Sequence, residues 1–444
     1  MQAEAEIRVV RSAAGTHLFL ADGSRLFDID DDTARGIEAD LARGRLPESI
    51  SGLLGGLGRR RYISFEPISP PALRSISLNV AQACNMSCGY CYADRGRFGG
   101  NASLMGEAVA RHAVDQLIDS APANSDLVIG FMGGEPFVNR SLVHEITAYA
   151  DNRARKAGHR PRFSLTTNAT LLTEADAELL GRYPFSVTVS LDGDAATNDR
   201  QRRLPGRQSA YERTINGLRL LTDRHRPRHI SIRATVSPLS GALLPLLEHF
   251  FSLGVDEAGF APVLAAPTGF PAFNGASLVE FTAEMIACGE HAKAAISGAR
   301  RFPFSNFETA LQEIHRGTHR PYPCGAGAGY MSVGSKGDYF ACHRLVDDAE
   351  FRFGDLESGL NETRRSVHLR NMHVDRQEPC KSCWARYLCG GGCYHEVARR
   401  GRLGCDYIRA WLEFCLAAYA ELSRSAPGYF ENPDRHFGQP GAAR

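Results

Sequence analysis

The sequence has almost no net charge, no long uninterrupted apolar run and no apolar segment at its start. Its 51 Lys and Arg residues against 50 Asp and Glu residues leave a formal charge of +1, which argues against a nucleic-acid partner. The longest charge-free stretch, 258–279, contains Pro262, Pro267 and Pro271 and cannot form a membrane-spanning helix. Residues 1–15 lack the apolar core of a signal peptide. We therefore expect a cytoplasmic protein without a membrane partner.

Cysteine, by contrast, is abundant, with 12 residues in the chain. A reducing cytosol makes a disulfide framework a poor explanation for them. Three cysteines fall between residues 84 and 91, eight fall in the last third of the chain, and Cys288 stands alone. Clustering of this kind indicates metal ligation.

Residues 75–264 alternate short apolar runs with amphipathic stretches, which predicts repeated βαβ units and an α/β fold. Six strands and their crossovers fit a partial (β/α)6 TIM-type barrel, although an open doubly wound sheet has the same pattern. The predicted strands are SISLNVA, LVIGFMG, RFSLTT, FSVTVSL, HISIRATV and DEAGFAPV. The predicted helices between them are 104–120, 141–157, 173–182, 211–224 and 243–253.

The rest of the chain divides around this core. Residues 1–70 predict a small α+β unit with a hairpin turn at 22–24 and a helix over 33–43 that Asp30–Asp32 cap. This unit could hold a peptide at its sheet edge or form a lid on the barrel, and Gly-rich 51–58 and Pro-rich 66–73 predict a linker. The predicted domains are this unit over 1–70, a barrel over 71–270, a helical connector over 271–320, a cysteine-rich domain over 321–424 and a mobile tail over 425–444. Two helices are predicted within 276–317 of the connector. A last helix is predicted over 407–423 in the cysteine-rich domain.

The first cysteine group, Cys84-x3-Cys88-x2-Cys91, directly follows the first barrel strand. It therefore lies at the carboxyl end of that strand, where parallel α/β barrels place their chemistry. Three thiolates can ligate three irons of a [4Fe–4S] cube and leave the fourth iron open to a small molecule. A structural zinc loop with a remote fourth ligand is the alternative.

The loop CNMSCGYC resembles the radical S-adenosylmethionine (SAM) superfamily, including the aromatic Tyr90 before the last cysteine. The resemblance implies that SAM chelates the open iron and that an electron from a flavodoxin- or ferredoxin-type donor cleaves it to a 5′-deoxyadenosyl radical. It covers about residues 75–264. The positions that it implies for SAM binding lie at strand ends and are Tyr90, Gly133, Gly134, Glu135, Pro136, Asn168, Ser190, Asp192 and Arg233.

The cysteines of the last third resemble the SPASM extension of peptide-modifying radical SAM enzymes. The resemblance implies two auxiliary [4Fe–4S] clusters, the first held by Cys324, Cys342 and Cys393, the second by Cys380, Cys383, Cys389 and Cys405. A fourth ligand for the first cluster is not evident, and Cys415 is an alternative to Cys405 in the second. Cys288 and Cys415 otherwise fit the apolar side of helices. Two zinc ribbons are the structural alternative for this segment.

Further stretches, among them GDYFACHRLVDDAEFRFGDL and CWARYLCGGGCYHEV, resemble thioether-forming peptide maturases such as the maturation enzyme of quinohaemoprotein amine dehydrogenase. The implied activity joins a cysteine sulfur to a carbon of another residue in a ribosomally made peptide or small protein subunit. His343 and Glu396 are candidates for proton transfer. The alternatives are formylglycine formation on a sulfatase, carbon–carbon crosslinking, and a non-enzymatic iron–sulfur electron carrier or scaffold.

Overall fold

The computed structural model of the protein describes residues 6–45, 47, 50 and 69–431. The predicted Gly-rich linker at 51–58 and the tail from residue 432 onward lie outside these residues. The described chain divides into two compact units. The barrel unit contains residues 69–277 and 325–367, and the second unit contains the described part of 1–68 together with 278–324 and 368–431.

The amino-terminal part of the second unit is an antiparallel sheet in the order β1 (Ile7–Ser12), β2 (Gly15–Leu20) and β3 (Arg25–Ile29). Helix α1 (Asp31–Ala42) follows, and the Asp30 side chain caps it by accepting the backbone N–H of Thr33 at 2.7 Å. The predicted hairpin and helix cap are therefore confirmed. Among the described residues β1 pairs with β2 alone in this sheet, so β1 is an edge strand of the part that the structure describes.

The barrel unit is built on a long sheet in which β4, β7, β8, β9, β11 and β12 are parallel neighbours in that order. These are the six predicted strands, and the α/β partial barrel is confirmed. The strands of this unit are β4 (Ser75–Gln82), β5 (Ser87–Cys88), β6 (Ser103–Leu104), β7 (Asp126–Gly133), β8 (Arg160–Thr167), β9 (Phe185–Ser190), β10 (Arg202–Arg203), β11 (His229–Val236), β12 (Glu257–Pro262), β13 (Tyr330–Val333), β14 (Asp338–Phe340), β15 (Arg352–Asp355) and β16 (Gly359–Leu360).

Helices connect the parallel strands, as the amphipathic stretches predict. They are α2 (Glu107–Ser120), α3 (Arg140–Lys156), α4 (Glu174–Arg182), α5 (Ala195–Gln201), α6 (Ala210–Arg219) and α7 (Leu243–Ser252). Two predicted bounds were wrong. Leu104 belongs to β6, which pairs with β4, and the helix begins after the extended residue Gly106. The predicted helix over 211–224 ends as an α-helix at Arg219 and continues as one π-helical turn to Arg224.

The sheet of the barrel unit extends beyond the six predicted strands. β13 pairs in parallel with β4, and β14, β15 and β16 add in antiparallel order. The sequence did not predict these strands, because each is two to four residues long and the segment is rich in glycine. As a result, Cys342 and His343 lie directly after a strand of the barrel sheet.

The remaining helices of the chain are α8 (Gly275–Ser297), α9 (Ser305–His315), α10 (Glu362–Met372), α11 (Arg386–Cys389), α12 (Tyr394–Arg400), α13 (Cys405–Ser425) and α14 (Gly428–Glu431). The two helices predicted within 276–317 and the last long helix are confirmed. Cys288 in α8 and Cys415 in α13 are both fully buried. Among the described residues, no helix is both long enough and apolar enough to cross a bilayer.

Candidate active site

The first cysteine group lies in the loop that follows β4, at the carboxyl-terminal edge of the parallel sheet. Cys88 pairs with Arg202 in the short ladder of β5 and β10, and the backbone N–H of Met86 donates to Cys84 Sγ at 3.4 Å. Burial raises the pKa of the Cys84 thiol to about 12, and the charges of Cys88 and Cys91 add to that rise. Burial also raises the pKa of Cys88, to about 11. Such thiols ionise only beside a cation.

The glycines at the end of β7 pack directly against this loop. A Cβ atom at Gly134 would lie 2.4 Å from the carbonyl oxygen of Ala83 and 2.9 Å from Cβ of Cys84. Gly133 has a φ of 143°, and a Cβ atom there would lie 2.3 Å from the carbonyl oxygen of Ala81. Both positions therefore exclude a side chain, and the close approach of the two backbones fixes the loop on the sheet.

Glu135 is 1% exposed, and its carboxylate accepts hydrogen bonds from the chain itself. The Thr167 hydroxyl and the backbone N–H of Asn168 each donate at 2.8 Å, and the N–H of Phe137 donates at 3.2 Å. Burial raises the pKa of Glu135, and these hydrogen bonds oppose the rise. Pro136 begins the short 3-10 turn that follows. The carboxylate thus ties the end of β7 to the end of β8.

The predicted residues on the next strands lie at the same edge of the sheet. The side-chain amide of Asn168 donates to Asn85 Oδ1 at 3.0 Å and lies 4.0 Å from Cys84 Sγ. Ser190 and Arg233 are directly opposite each other in the ladder of β9 and β11. The structure therefore brings the strand-end residues and the cysteine loop into one site, while their contacts with SAM stay a prediction.

Tyr90 and Asp192 form a buried cluster with Arg202, which no sequence motif indicated. The Tyr90 hydroxyl donates to Asp192 Oδ2 at 2.6 Å and accepts from Arg202 Nη1 at 2.6 Å. Asp192 is fully buried and also accepts the backbone N–H of Thr235 at 3.0 Å. Burial raises the pKa of Asp192, and the charge of Arg202 opposes the rise. The cluster connects β9, β10 and β11 to the cysteine loop.

The inner face of the sheet carries hydroxyl groups in register. One row across neighbouring strands is Ser332, Ser77, Gly130, Ser164 and Ser186, and a second is Thr166, Thr188, Ser231 and Glu257. Ser77 Oγ lies 2.7 Å from the Tyr330 hydroxyl, which lies 3.1 Å from Nδ1 of His343. Barrel interiors are ordinarily filled by branched apolar side chains. This lining therefore favours a polar ligand.

Asn79 lies on the same inner face, two residues after Ser77 on β4. Its side chain is fully buried, and neither its amide nitrogen nor its amide oxygen has a hydrogen-bond partner among the described residues. Leaving a buried polar group unpaired costs about 1–3 kcal/mol. Its Oδ1 lies 2.9 Å from where a Cβ atom of Gly133 would stand, so the amide is enclosed against the end of β7 rather than exposed to a bound molecule.

Four of the cysteines in the last third lie together in the second unit. Burial raises the pKa of Cys380 to about 11, and the charges of Cys389, Cys405 and Cys383 add to the rise. Burial and the charge of Cys383 likewise raise the pKa values of Cys389 and Cys405. For Cys415, burial is the sole cause of a raised pKa. The structure therefore groups Cys405, rather than Cys415, with the other three.

The cysteines predicted to hold the first auxiliary cluster are divided between the units. Cys342 belongs to the barrel unit, whereas Cys324 and Cys393 belong to the second unit, as does Glu396. The ligand set of this cluster stays a prediction. None of the twelve cysteines is in a disulfide bond, and within the described ranges no group of three or more His, Cys, Asp or Glu side chains is arranged around a single metal ion.

Residues 78–238, which contain the cysteine loop and the strand ends described above, match the radical SAM superfamily. The chain therefore carries a radical SAM domain, and such domains bind a [4Fe–4S] cluster and SAM. The three thiols of the loop suit this donor set because soft thiolates are the ligands of iron–sulfur clusters. The backbone N–H of Met86 donates to Cys84 Sγ, and hydrogen bonds of this kind orient and tune the ligands of a metal centre.

The chain is also similar to proteins that cover most of its length. It is 24% identical over 380 residues to the serine-type anaerobic sulfatase-maturating enzyme of Klebsiella aerogenes, covering 82% of this chain and 91% of that protein. The structure of anSMEcpe with bound AdoMet aligns with a TM-score of 0.68 at 17% identity, covering 82% of this chain and 100% of that one. Streptococcus suis SuiB bound to its precursor peptide SuiA aligns with a TM-score of 0.53 at 14% identity, over 89% and 95%.

Proposed function

We propose that the chain modifies a peptide or small protein subunit by joining a cysteine sulfur to a carbon of another residue. The observation that carries this proposal is the polar inner face of the barrel unit, whose rows of serine and threonine hydroxyls match the donors and acceptors of a peptide. A bound cluster and SAM supply a 5′-deoxyadenosyl radical that removes a hydrogen atom from the substrate. The precursor peptide held by SuiB supports a peptide as the substrate class.

Thioether formation removes two hydrogens from the peptide. The hydrogen atom on carbon goes to the 5′-deoxyadenosyl group, the thiol proton goes to a base, and one electron goes to an acceptor, for which an auxiliary cluster is suited. We assign the base to His343, whose Nδ1 reaches the inner face through the Tyr330 hydroxyl. A flavodoxin- or ferredoxin-type protein supplies the electron that starts the reaction.

Formylglycine formation is the second candidate, and the similarity to sulfatase-maturating enzymes over 82% of the chain favours it. Oxidation of a substrate serine to formylglycine also removes two hydrogens. A mass change alone therefore does not separate the two reactions, and an oxidised cysteine also loses its thiol, whereas an aldehyde in the product does separate them.

The two activities are distinguished by incubating the anaerobically reconstituted protein with SAM, dithionite and Cys-containing peptides encoded beside its gene. Thioether formation is expected to give 5′-deoxyadenosine and a peptide lighter by two hydrogens that takes up one fewer iodoacetamide group. A matched peptide with that cysteine changed to serine is expected to stay unmodified. A product that reacts with a hydrazide would instead establish formylglycine formation.

We also assign peptide binding to the edge of the amino-terminal sheet. A cavity of about 470 Å3 within the second unit is lined by Arg8 and Arg11 of β1, Leu41 of α1, and Cys383 and Trp384. Edge strands present unpaired backbone groups that an extended peptide can pair with. The two arginines make ion pairs with Glu413 and Glu38, so backbone pairing rather than charge is the main attraction expected here.

The grouping of Cys380, Cys383, Cys389 and Cys405 supports them as the ligands of an auxiliary [4Fe–4S] cluster. We expect Cys405→Ala to lower the iron and sulfide content of the reconstituted protein by about one cluster, because a cube needs its thiolate ligands. Cys415→Ala is the matched control, since Cys415 lies on the same helix, α13, and is buried away from the group. Equal loss in both variants, or tightly bound zinc without sulfide, would contradict the assignment.

A further inference from the structure

Arg202 is the one residue of the buried cluster that neither a motif nor the proposed function explains. Its side chain is 8% exposed, and its Nε atom has no hydrogen-bond partner in the part of the chain that the structure describes. It lies on β10, directly opposite Cys88 of the cysteine loop. A buried guanidinium is costly unless nearby negative charge compensates for it.

The contacts of the Arg202 guanidinium show which groups its charge acts on. Its Nη1 donates to the Tyr90 hydroxyl at 2.6 Å, whereas the nearest oxygen of Asp192 is 3.9 Å away. Arg202 is therefore not held as the close bidentate partner of a carboxylate, which is the usual geometry of a structural Arg–Asp pair. Its backbone pairs with Cys88 in the ladder of β5 and β10, so its positive charge is held beside the cysteine loop.

We propose that Arg202 raises the reduction potential of the [4Fe–4S] cluster held by Cys84, Cys88 and Cys91. One-electron reduction by a flavodoxin- or ferredoxin-type donor adds one negative charge to a cluster that already has three thiolate ligands. A fixed positive charge in a buried site stabilises this reduced state. Tyr90 positions the guanidinium, and Asp192 limits its effect by partial neutralisation.

The test is an EPR-monitored redox titration of the reconstituted full-length protein, following the signal that changes shape when SAM is added. We expect Arg202→Gln to lower the ratio of reduced to oxidised cluster at a fixed potential about tenfold, which is ~59 mV for a one-electron couple. Arg203→Gln is the matched control, because Arg203 is the exposed neighbour on β10 and pairs with Ser87. Asp192→Asn is expected to shift the potential in the opposite direction, upward.

Opposite shifts in the Arg202 and Asp192 variants, with no shift in the Arg203 variant, support the proposal. An unchanged potential in Arg202→Gln, or shifts of the same sign in the Arg202 and Asp192 variants, would overturn it in favour of a structural role. If Arg202→Gln fails to take up the cluster, Asp192→Asn decides alone: a raised potential supports the proposal and a lowered or unchanged one refutes it. The readout requires no peptide, so it is independent of the proposed function.

Discussion

Replacing Cys84, Cys88 and Cys91 together by alanine is expected to abolish SAM cleavage and to remove the iron and sulfide of one cluster, while the cysteines of the last third keep theirs. The three thiols converge on one loop at the carboxyl edge of the sheet, and no electron reaches the sulfonium without the cluster that they ligate. The measurement is 5′-deoxyadenosine formed after dithionite addition, together with iron and sulfide analysis.

Cys288→Ala serves as the control for this variant, because Cys288 is a buried cysteine of α8 outside both clusters of thiols. It is expected to keep full SAM cleavage and full iron content. Retained cleavage in the triple variant would refute the radical SAM assignment of the loop. Absence of SAM cleavage in the unmodified protein would instead leave an electron carrier or scaffold as the better account of the chain.

The second large effect is expected at Glu135. One oxygen of its carboxylate accepts from Thr167 and Phe137, and the other accepts from the backbone N–H of Asn168. In Glu135→Gln, the new NH2 group must face one of the two backbone N–H groups, whichever way the amide turns. An unsatisfied buried donor costs about 1–3 kcal/mol. Relieving that cost displaces the strand ends that are predicted to bind SAM, so we expect SAM affinity to fall, by up to roughly a hundredfold.

Isothermal titration of the reconstituted protein with SAM measures this loss. Glu107→Gln is the control, because Glu107 is exposed on α2 and its ion pair with Arg111 is a surface pair worth little. If Glu135→Gln binds SAM with the same affinity as the unmodified protein, the link that the Glu135 carboxylate makes between β7 and β8 has no part in SAM binding.

The barrel could be predicted because the sequence pattern of each of its strands and helices lies within a short stretch of the chain. Buried strands such as SISLNVA and LVIGFMG are long apolar runs, and amphipathic helices separate them, so pattern alone fixed their order. The cysteine loop was equally readable, since its three ligands lie within eight residues of one another. The strands β13–β16 gave no such signal, because they are short and gain their stability by pairing with β4 and with each other.

The parts of the site that sequence did not reveal depend on long-range contacts. Arg202 lies 112 residues from Tyr90 in the sequence and belongs to neither the glycine motif nor the cysteine loop. Only the fold therefore shows that the two side chains meet. The sequence pattern marks Asn79 only as a strand residue, and the fold shows that its amide is buried without a partner among the described residues. Glu135 was expected to bind SAM, and the structure adds that its carboxylate also holds the backbone of Asn168.

The account depends most on an iron of the loop cluster that is free to bind SAM. Electron–nuclear double resonance on the reduced protein, with SAM carrying 15N at the amino group of its methionine part, measures this directly. A resolved nitrogen coupling to the cluster is predicted, and it should disappear in the triple alanine variant. A spectrum with no nitrogen coupling at saturating SAM would contradict the account.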